Sequence, residues 1–112
     1  MPRTLPPHFY ETVKWVRLTT AVLFRLKICP GLKADGRPVW GLTSQGSTKC
    51  WTIRINSQQP ETLAIYTLLE EVAHIQDFVR HGYVEGEVRQ HRDTWARRYG
   101  WWIRAYYTYF NT

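Results

Sequence analysis

The sequence predicts an α+β domain in which a small three-stranded antiparallel sheet packs on two long helices, with a short N-terminal helix before them. Apolar residues recur at every second position between residues 20 and 56, and at helical spacing in two later segments. A chain of 112 residues is long enough for one core. We therefore expect residues 1–112 to form a single domain.

A short helix is expected first, over about residues 8–18, after a proline-rich start that stays extended. Phe9, Val13 and Val16 would lie on one face of this helix. The alternative is a strand, because polar and apolar residues of the same segment also alternate, although weakly.

Three strands joined by turns come next, over residues 20–28, 39–43 and 50–56. The third alternates most regularly, with a tryptophan and two isoleucines on its inner face. Asp35 and Gly36 predict a turn between the first two strands. Short connections between consecutive strands favour an antiparallel meander.

Two long helices complete the predicted fold. The central helix is expected to begin near Pro60 and to end near Gly82, and the last helix to run from about Val88 to Tyr109. The central helix carries an apolar stripe at helical spacing, formed by Leu63, Ile65, Leu68, Leu69, Val72, Ile75 and Phe78.

The charge and the cysteines indicate partners and compartment. A formal net charge of +6 attracts polyanions, with nucleic acid first among them. Cys29 and Cys50 lack the spacing of a disulfide framework, so we expect reduced thiols in a cytoplasmic protein. The two cysteines could be neighbours on adjacent strands. The start lacks the apolar segment of a signal peptide, and no apolar run is long enough to cross a bilayer, so we expect no membrane association.

The most informative segment is Glu70-Glu71-Val72-Ala73-His74 in the central helix. The zinc-peptidase pattern His-Glu-x-x-His places two imidazoles one helical turn apart, with a carboxylate base beside them. Here His74 matches the second imidazole and Glu71 the base, whereas Glu70 stands where the first imidazole is expected. Residues four apart share a helix face, so Glu70 and His74 are expected to project together, with Glu71 turned about 100° around the axis.

A catalytic zinc needs a third protein ligand. His91 is the candidate, because a helix–loop–helix turn can return the chain between His74 and this position. Taken alone, His74 would more often be a hydrogen-bonded interior histidine, and the Glu70-Glu71 pair a solvated face. Asp77 is expected to face water, with a hydrogen bond to a ligand imidazole as the alternative.

On these residues the chain resembles the SprT-like zinc metallopeptidases (the Spartan group) and their small phage-encoded relatives. The resemblance covers about residues 20–105 and implies a zincin-like fold, zinc as the cofactor, and a protein or peptide substrate associated with DNA. The chain departs from the family pattern at Glu70, where the family has His, and at Arg92, where it has Gly. The matching features, in chain order, are the residues from Trp51 to Asn56 in the strand that leads into the helix, Leu68-Leu69, Glu71, Ala73-His74 and His91-Arg92-Asp93-Thr94-Trp95.

Glu70 leaves two outcomes open. In one, Glu70, His74 and His91 hold zinc, and Glu71 takes a proton from the attacking water, so that the protein hydrolyses peptides. In the other, the site is incomplete and the chain is a catalytically inactive, peptidase-like binding protein, such as a phage-encoded inhibitor or an accessory factor that binds DNA or protein. A helical-hairpin DNA-binding domain unrelated to peptidases is a third interpretation, which the alternating strands contradict.

The last helix interleaves arginines with aromatic residues. Arginine for phosphates and aromatic rings for unstacked bases are the usual combination for single-stranded nucleic acid. The alternative is a helix whose arginine stems cover aromatic core residues. The candidate nucleic-acid-binding residues are Arg89, Arg92, Arg97, Arg98 and Arg104.

Overall fold

The computed structural model describes residues 4–45, 50–81 and 93–111, which form a mixed α and β fold as predicted. In chain order the elements are α1 (Pro7–Thr19), β1 (Phe24–Ile28), β2 (Lys33–Ala34), β3 (Arg37–Pro38), β4 (Gly41–Gln45), β5 (Trp51–Ile55), α2 (Glu61–His81) and α3 (Asp93–Phe110). None of the helices in the described ranges combines the length and the apolar character that a bilayer crossing requires.

The main sheet has the strand order β1-β5-β4. β1 pairs with β5 in parallel, with Phe24 opposite Trp51, whereas β4 pairs with β5 antiparallel, with Gln45 opposite Trp51. The predicted antiparallel meander is therefore wrong, because the sheet is mixed. β5 takes the central place since its inner face is the most apolar, with Ile53 and Ile55 fully buried. Turn signals in the sequence report where the chain reverses and not which strands become neighbours.

The predicted Asp-Gly turn forms, but it closes a separate small hairpin. β2 and β3 pair antiparallel, and Asp35 and Gly36 between them have φ values of 51° and 76°. Positive φ at both central residues is what a type I′ turn requires, and Asp-Gly favours it. This hairpin separates β1 from β4 in the chain. β1 and β4 therefore do not have to pair with each other, and β5 lies between them in the sheet.

The N-terminal segment is a helix, and the strand alternative is wrong. Phe9, Val13 and Val16 are buried on one face of α1, as predicted. Trp15 packs edge-on against Trp102 of α3, with ring centroids 5.4 Å apart. α1 thereby closes the core against both long helices.

α2 runs through the centre of the fold and contacts α1, α3, β4 and β5. Of its predicted apolar stripe, Leu63 is exposed and the other six residues are buried. Ala64 and Ala73 are buried as well, because neighbours on several sides cover most of the circumference of the helix. The predicted helix end near Gly82 and the predicted helix start near Val88 lie outside the described residues.

The two cysteines are not neighbours. Trp51, which follows Cys50, donates its N–H to the carbonyl of Leu23 at one end of the β1-β5 pair, and Cys29 donates its N–H to Ile55 at the other end. Six residues of strand separate these two levels, which corresponds to roughly 20 Å. A disulfide needs Cα atoms closer than about 7 Å, so this chain cannot form one within itself.

Candidate metal centre

Three side chains that can ligate a metal meet on α2, namely Glu70, Glu71 and His74. One oxygen or nitrogen atom of each lies within 4.8 Å of the other two. Glu71 and His74 are 8% and 6% exposed, and Glu70 is half-buried. We call these three residues the α2 cluster. They are not a solvated face, because two of the three side chains lie inside the protein.

Glu71 lies on the side of the cluster that faces the sheet. Its Oε1 accepts a hydrogen bond of 2.9 Å from the hydroxyl of Thr43 on β4. Burial raises the pKa of Glu71 from 4.5 to about 7; the bond from Thr43 lowers the pKa and the charge of Glu70 raises it. A carboxyl group with a pKa near 7 exchanges its proton readily at neutral pH, which suits a general base.

Gly41 allows β4 to approach α2 closely enough for this hydrogen bond. A Cβ atom at this position would lie 2.5 Å from Cγ2 of Thr67 and 3.3 Å from Cγ of Glu71. The first distance is shorter than any ordinary contact between carbon atoms. A residue with a side chain would therefore push β4 away from α2, and with it Thr43 away from Glu71.

His74 lies in a stack of aromatic rings. Its imidazole is nearly parallel to the rings of Phe78 and Trp95, with centroid distances of 5.8 Å and 4.9 Å and interplanar angles of 16° and 11°. Trp51 stacks on Phe78, and Tyr99 stacks on Trp95, with centroid distances of 5.6 Å in both pairs. We call these five rings the aromatic stack. An imidazole binds a metal through a nitrogen lone pair in the plane of the ring, so rings stacked parallel to it fix the direction of these lone pairs without lying along them.

α3 is held against this part of α2 by two polar contacts. Nε1 of Trp95 donates a hydrogen bond of 3.3 Å to the carbonyl oxygen of Glu70. Oγ1 of Thr94 donates a hydrogen bond to Oδ1 of Asp77, which is fully buried. The expectation that Asp77 faces water is therefore wrong: it lies one turn beyond His74, on the helix face that α3 covers.

The remaining predicted site residues divide into two groups. His91, Arg89 and Arg92 lie outside the described residues, so the third ligand stays a prediction. Arg97 and Arg98 line a groove between α2 and α3, and Arg104 lines a second groove between α1 and α3.

The contacts between elements cannot be read from the sequence. Thr43, Gly41 and Trp95 all shape the α2 cluster, yet each lies more than 20 residues from it in the chain. The sequence carries a signal for Trp95, because this residue belongs to one of the segments that resemble the SprT-like family. Nothing in the alternation of β4 distinguishes Thr43 from another half-buried threonine.

The donor set of the α2 cluster fits a divalent metal. Zinc and other first-row divalent ions accept carboxylates and imidazoles as ligands, and the cluster has two carboxylates and one imidazole. Tetrahedral ligand atoms around zinc are roughly 3.4 Å apart. The separations of up to 4.8 Å would therefore have to shorten by a little over an ångström, which rotation of the long glutamate side chains can supply.

No model of a protein family, no curated protein and no solved structure matches this chain significantly. The resemblance to the SprT-like family therefore depends on the residues quoted for it, and a functional proposal has to depend on the geometry of the α2 cluster.

Proposed function

We propose that this chain is a zincin-like, SprT-related metal-dependent peptidase, in which Glu70, His74 and His91 hold zinc and Glu71 is the general base. One observation carries the proposal: the ligand atoms of Glu70, Glu71 and His74 lie within 4.8 Å of one another in a largely buried part of α2. Buried carboxylates without a cation beside them are unfavourable, so a metal ion would compensate the charge that burial makes costly here.

The position of β4 supports a peptide substrate. β4 is an antiparallel edge strand, and in the described residues it pairs on one side only, with β5. It also lies beside the cluster, because its Thr43 donates a hydrogen bond to Glu71. An extended peptide that pairs with the outer edge of β4 would add a strand to the sheet and run past the cluster.

The residues of the chain would then divide the work of hydrolysis. A bound zinc ion supplies Lewis-acid polarisation of the scissile carbonyl and activation of water. Glu71 accepts the proton of the attacking water on a carboxylate oxygen, and its pKa of about 7 matches that role at neutral pH. The aromatic stack keeps His74 in one orientation and excludes water from its faces.

Metal binding is the first test. Protein stripped with chelator and dialysed would be titrated with zinc against a competing dye, and its metal content measured before and after. We expect one equivalent of zinc, with His74→Ala and Glu70→Ala each weakening binding by at least tenfold. Glu11→Gln is the matched control, because it removes an exposed carboxylate on α1. Less than about a tenth of an equivalent after zinc addition would reject the site.

Glu71→Gln then separates the base from a ligand. If Glu71 is the base, the variant keeps zinc affinity and loses about 10²–10⁴-fold in the rate of cleavage of an unstructured protein such as casein, measured with and without DNA. If Glu71 is a ligand, zinc affinity falls with the rate. Cleavage at the wild-type rate by Glu71→Gln would exclude this chemistry.

A second candidate is a non-catalytic binding protein of the same ancestry, in which the α2 cluster is structural. The observation that favours it is the burial of His74 against two aromatic rings, together with the hydrogen bond from Thr43 to Glu71. Such a protein would bind DNA or another protein, as an inhibitor or accessory factor does. It predicts wild-type partner binding in Glu71→Gln and no uptake of zinc, so the zinc titration and the cleavage measurement described above decide between the candidates.

A further inference from the structure

A positively charged groove lies between the C-terminal half of α2 and the N-terminal half of α3. Its volume is about 440 Å³. It contains three guanidinium groups contributed by two helices, and none of its described lining residues is acidic. We call it the arginine groove, and its lining residues are Gln76, Arg80, Thr94, Arg97, Arg98 and Trp101.

The neutral polar side chains of the arginine groove are already used inside the protein. Oε1 of Gln76 accepts a hydrogen bond of 2.8 Å from Nε1 of Trp102, and Thr94 donates its hydroxyl to Asp77. The arginines are different. The described residues form one ion pair, between His8 and Glu11. None of the three guanidiniums is therefore paired with a carboxylate of a described residue.

Three like charges close together, with no paired carboxylate among the described residues, favour an anionic ligand. Each guanidinium can donate two parallel hydrogen bonds to a phosphate group. Arg80 comes from α2, whereas Arg97 and Arg98 come from α3, so one anion or two adjacent anions could contact both helices. The net charge of +6 adds a long-range attraction of the same sign.

Trp101 gives the groove an aromatic platform. Its side chain is 49% exposed, which is unusual for the largest apolar side chain. The same residue also lines the second groove, of about 640 Å³, together with Arg104 and Tyr109. Trp101 therefore joins the two grooves, each of which contains arginine and aromatic side chains of α3.

We propose that the arginine groove binds single-stranded nucleic acid, with phosphates on Arg80, Arg97 and Arg98 and an unstacked base on Trp101. A duplex offers phosphates but keeps the faces of its bases stacked, so it would use the arginines and leave Trp101 without a partner. The second groove, with Arg104 and Tyr109, would extend the path of the strand along α3. No residue of the arginine groove belongs to the α2 cluster, so the proposal is independent of metal binding.

The arginines are tested by charge removal at two places. Fluorescence anisotropy would measure the binding of a labelled oligothymidylate in the presence of EDTA and over a series of salt concentrations. We expect Arg97→Gln/Arg98→Gln to weaken binding by at least tenfold and to reduce the slope of log affinity against log salt by about 1.4. Arg25→Gln/Lys27→Gln removes the same charge from exposed positions on β1 and is expected to change affinity by less than about threefold.

Trp101 is tested by a pair of substitutions that separates stacking from apolar character. Trp101→Phe keeps a ring and is expected to retain affinity within about threefold, whereas Trp101→Leu is expected to lose about tenfold. Circular dichroism and thermal melts would verify the fold of both, since Trp101 packs edge-on against Trp102 at 5.0 Å. Three results would each overturn the proposal: no binding at low salt, an equal loss in the β1 control, or a duplex or a phosphorylated peptide bound as tightly as the oligothymidylate.

Discussion

The α2 cluster and the arginine groove lie on the same pair of helices and handle charge in opposite ways. The cluster is acidic, largely buried and covered by aromatic rings, and burial raises the pKa of Glu71 to about 7. The groove is basic and open to solvent, and three arginines line it. One pair of helices can therefore present one site suited to a cation and another suited to an anion, because α3 covers the α2 cluster and leaves the arginine groove exposed.

The largest effect on stability is expected at two adjacent tryptophans of α3, one on its buried side and one on its exposed side. Trp102 is 1% exposed and donates a hydrogen bond to Gln76, whereas Trp101 is 49% exposed. We expect Trp102→Ala to lower the free energy of unfolding by about 4 kcal/mol. We expect Trp101→Ala to lower it by less than about 1 kcal/mol. Urea denaturation followed by circular dichroism measures both, and equal losses would contradict the division into a buried and an exposed side.

The pH dependence of stability tests the buried carboxyl group. In the unfolded chain Glu71 ionises near its ordinary value of 4.5, whereas in the folded protein its pKa is about 7. The folded state therefore holds the proton more tightly, and the stability that this proton contributes is complete below pH 4.5 and is lost as the pH rises through 7. The difference corresponds to about 3 kcal/mol.

Glu71→Gln removes this dependence. Its amide oxygen can still accept the hydrogen bond from Thr43, while the unfavourable buried charge is absent. In EDTA we expect the variant to be more stable than the wild type above pH 7, by up to about 3 kcal/mol, and to lose less stability between pH 4.5 and 7. Denaturant titrations at a series of pH values measure the difference. Parallel pH profiles for the two proteins would show that Glu71 is not buried as described.

Gly41→Ala tests the close approach of β4 to α2. The added methyl group would meet Cγ2 of Thr67 at 2.5 Å, so we expect a loss of about 1–3 kcal/mol in the free energy of unfolding. Thr67→Ser provides the matched rescue, because it removes Cγ2 and keeps the hydroxyl that donates to Leu63. The double variant is expected to recover much of the loss. A purely additive result would mean that the strain lies elsewhere.

The smallest effect is expected in the arginine groove itself. Arg97 and Arg98 make no ion pair with described residues, so Arg97→Gln/Arg98→Gln is expected to change the free energy of unfolding by less than about 0.5 kcal/mol. An increase within that range would fit relief of repulsion between like charges. Thermal and urea denaturation measure this change. A loss of more than 1 kcal/mol would show that these arginines stabilise the fold and are not held ready for a ligand.

Local features of the sequence predicted local structure well. The helical spacing of apolar residues located α2, and the positions of Glu70, Glu71 and His74 within one turn gathered their side chains because a helix repeats every 3.6 residues. The Asp35-Gly36 dipeptide predicted a turn because aspartate and glycine tolerate the positive φ values that the turn requires. Each of these depends on residues that are neighbours in the chain.

The tertiary structure alone decided which elements became neighbours. The alternating pattern of β5 predicted a buried face but not its central place in a mixed sheet, and helix spacing did not reveal that Arg80 would join Arg97 and Arg98. The sequence by itself determined which side chains share a face of an element, because backbone geometry repeats at a constant period. Which element each face contacts depends on how the whole core packs, because every buried surface has to be filled at the same time. Examples are Thr43, which lies beside Glu71, and Trp95, which lies beside His74.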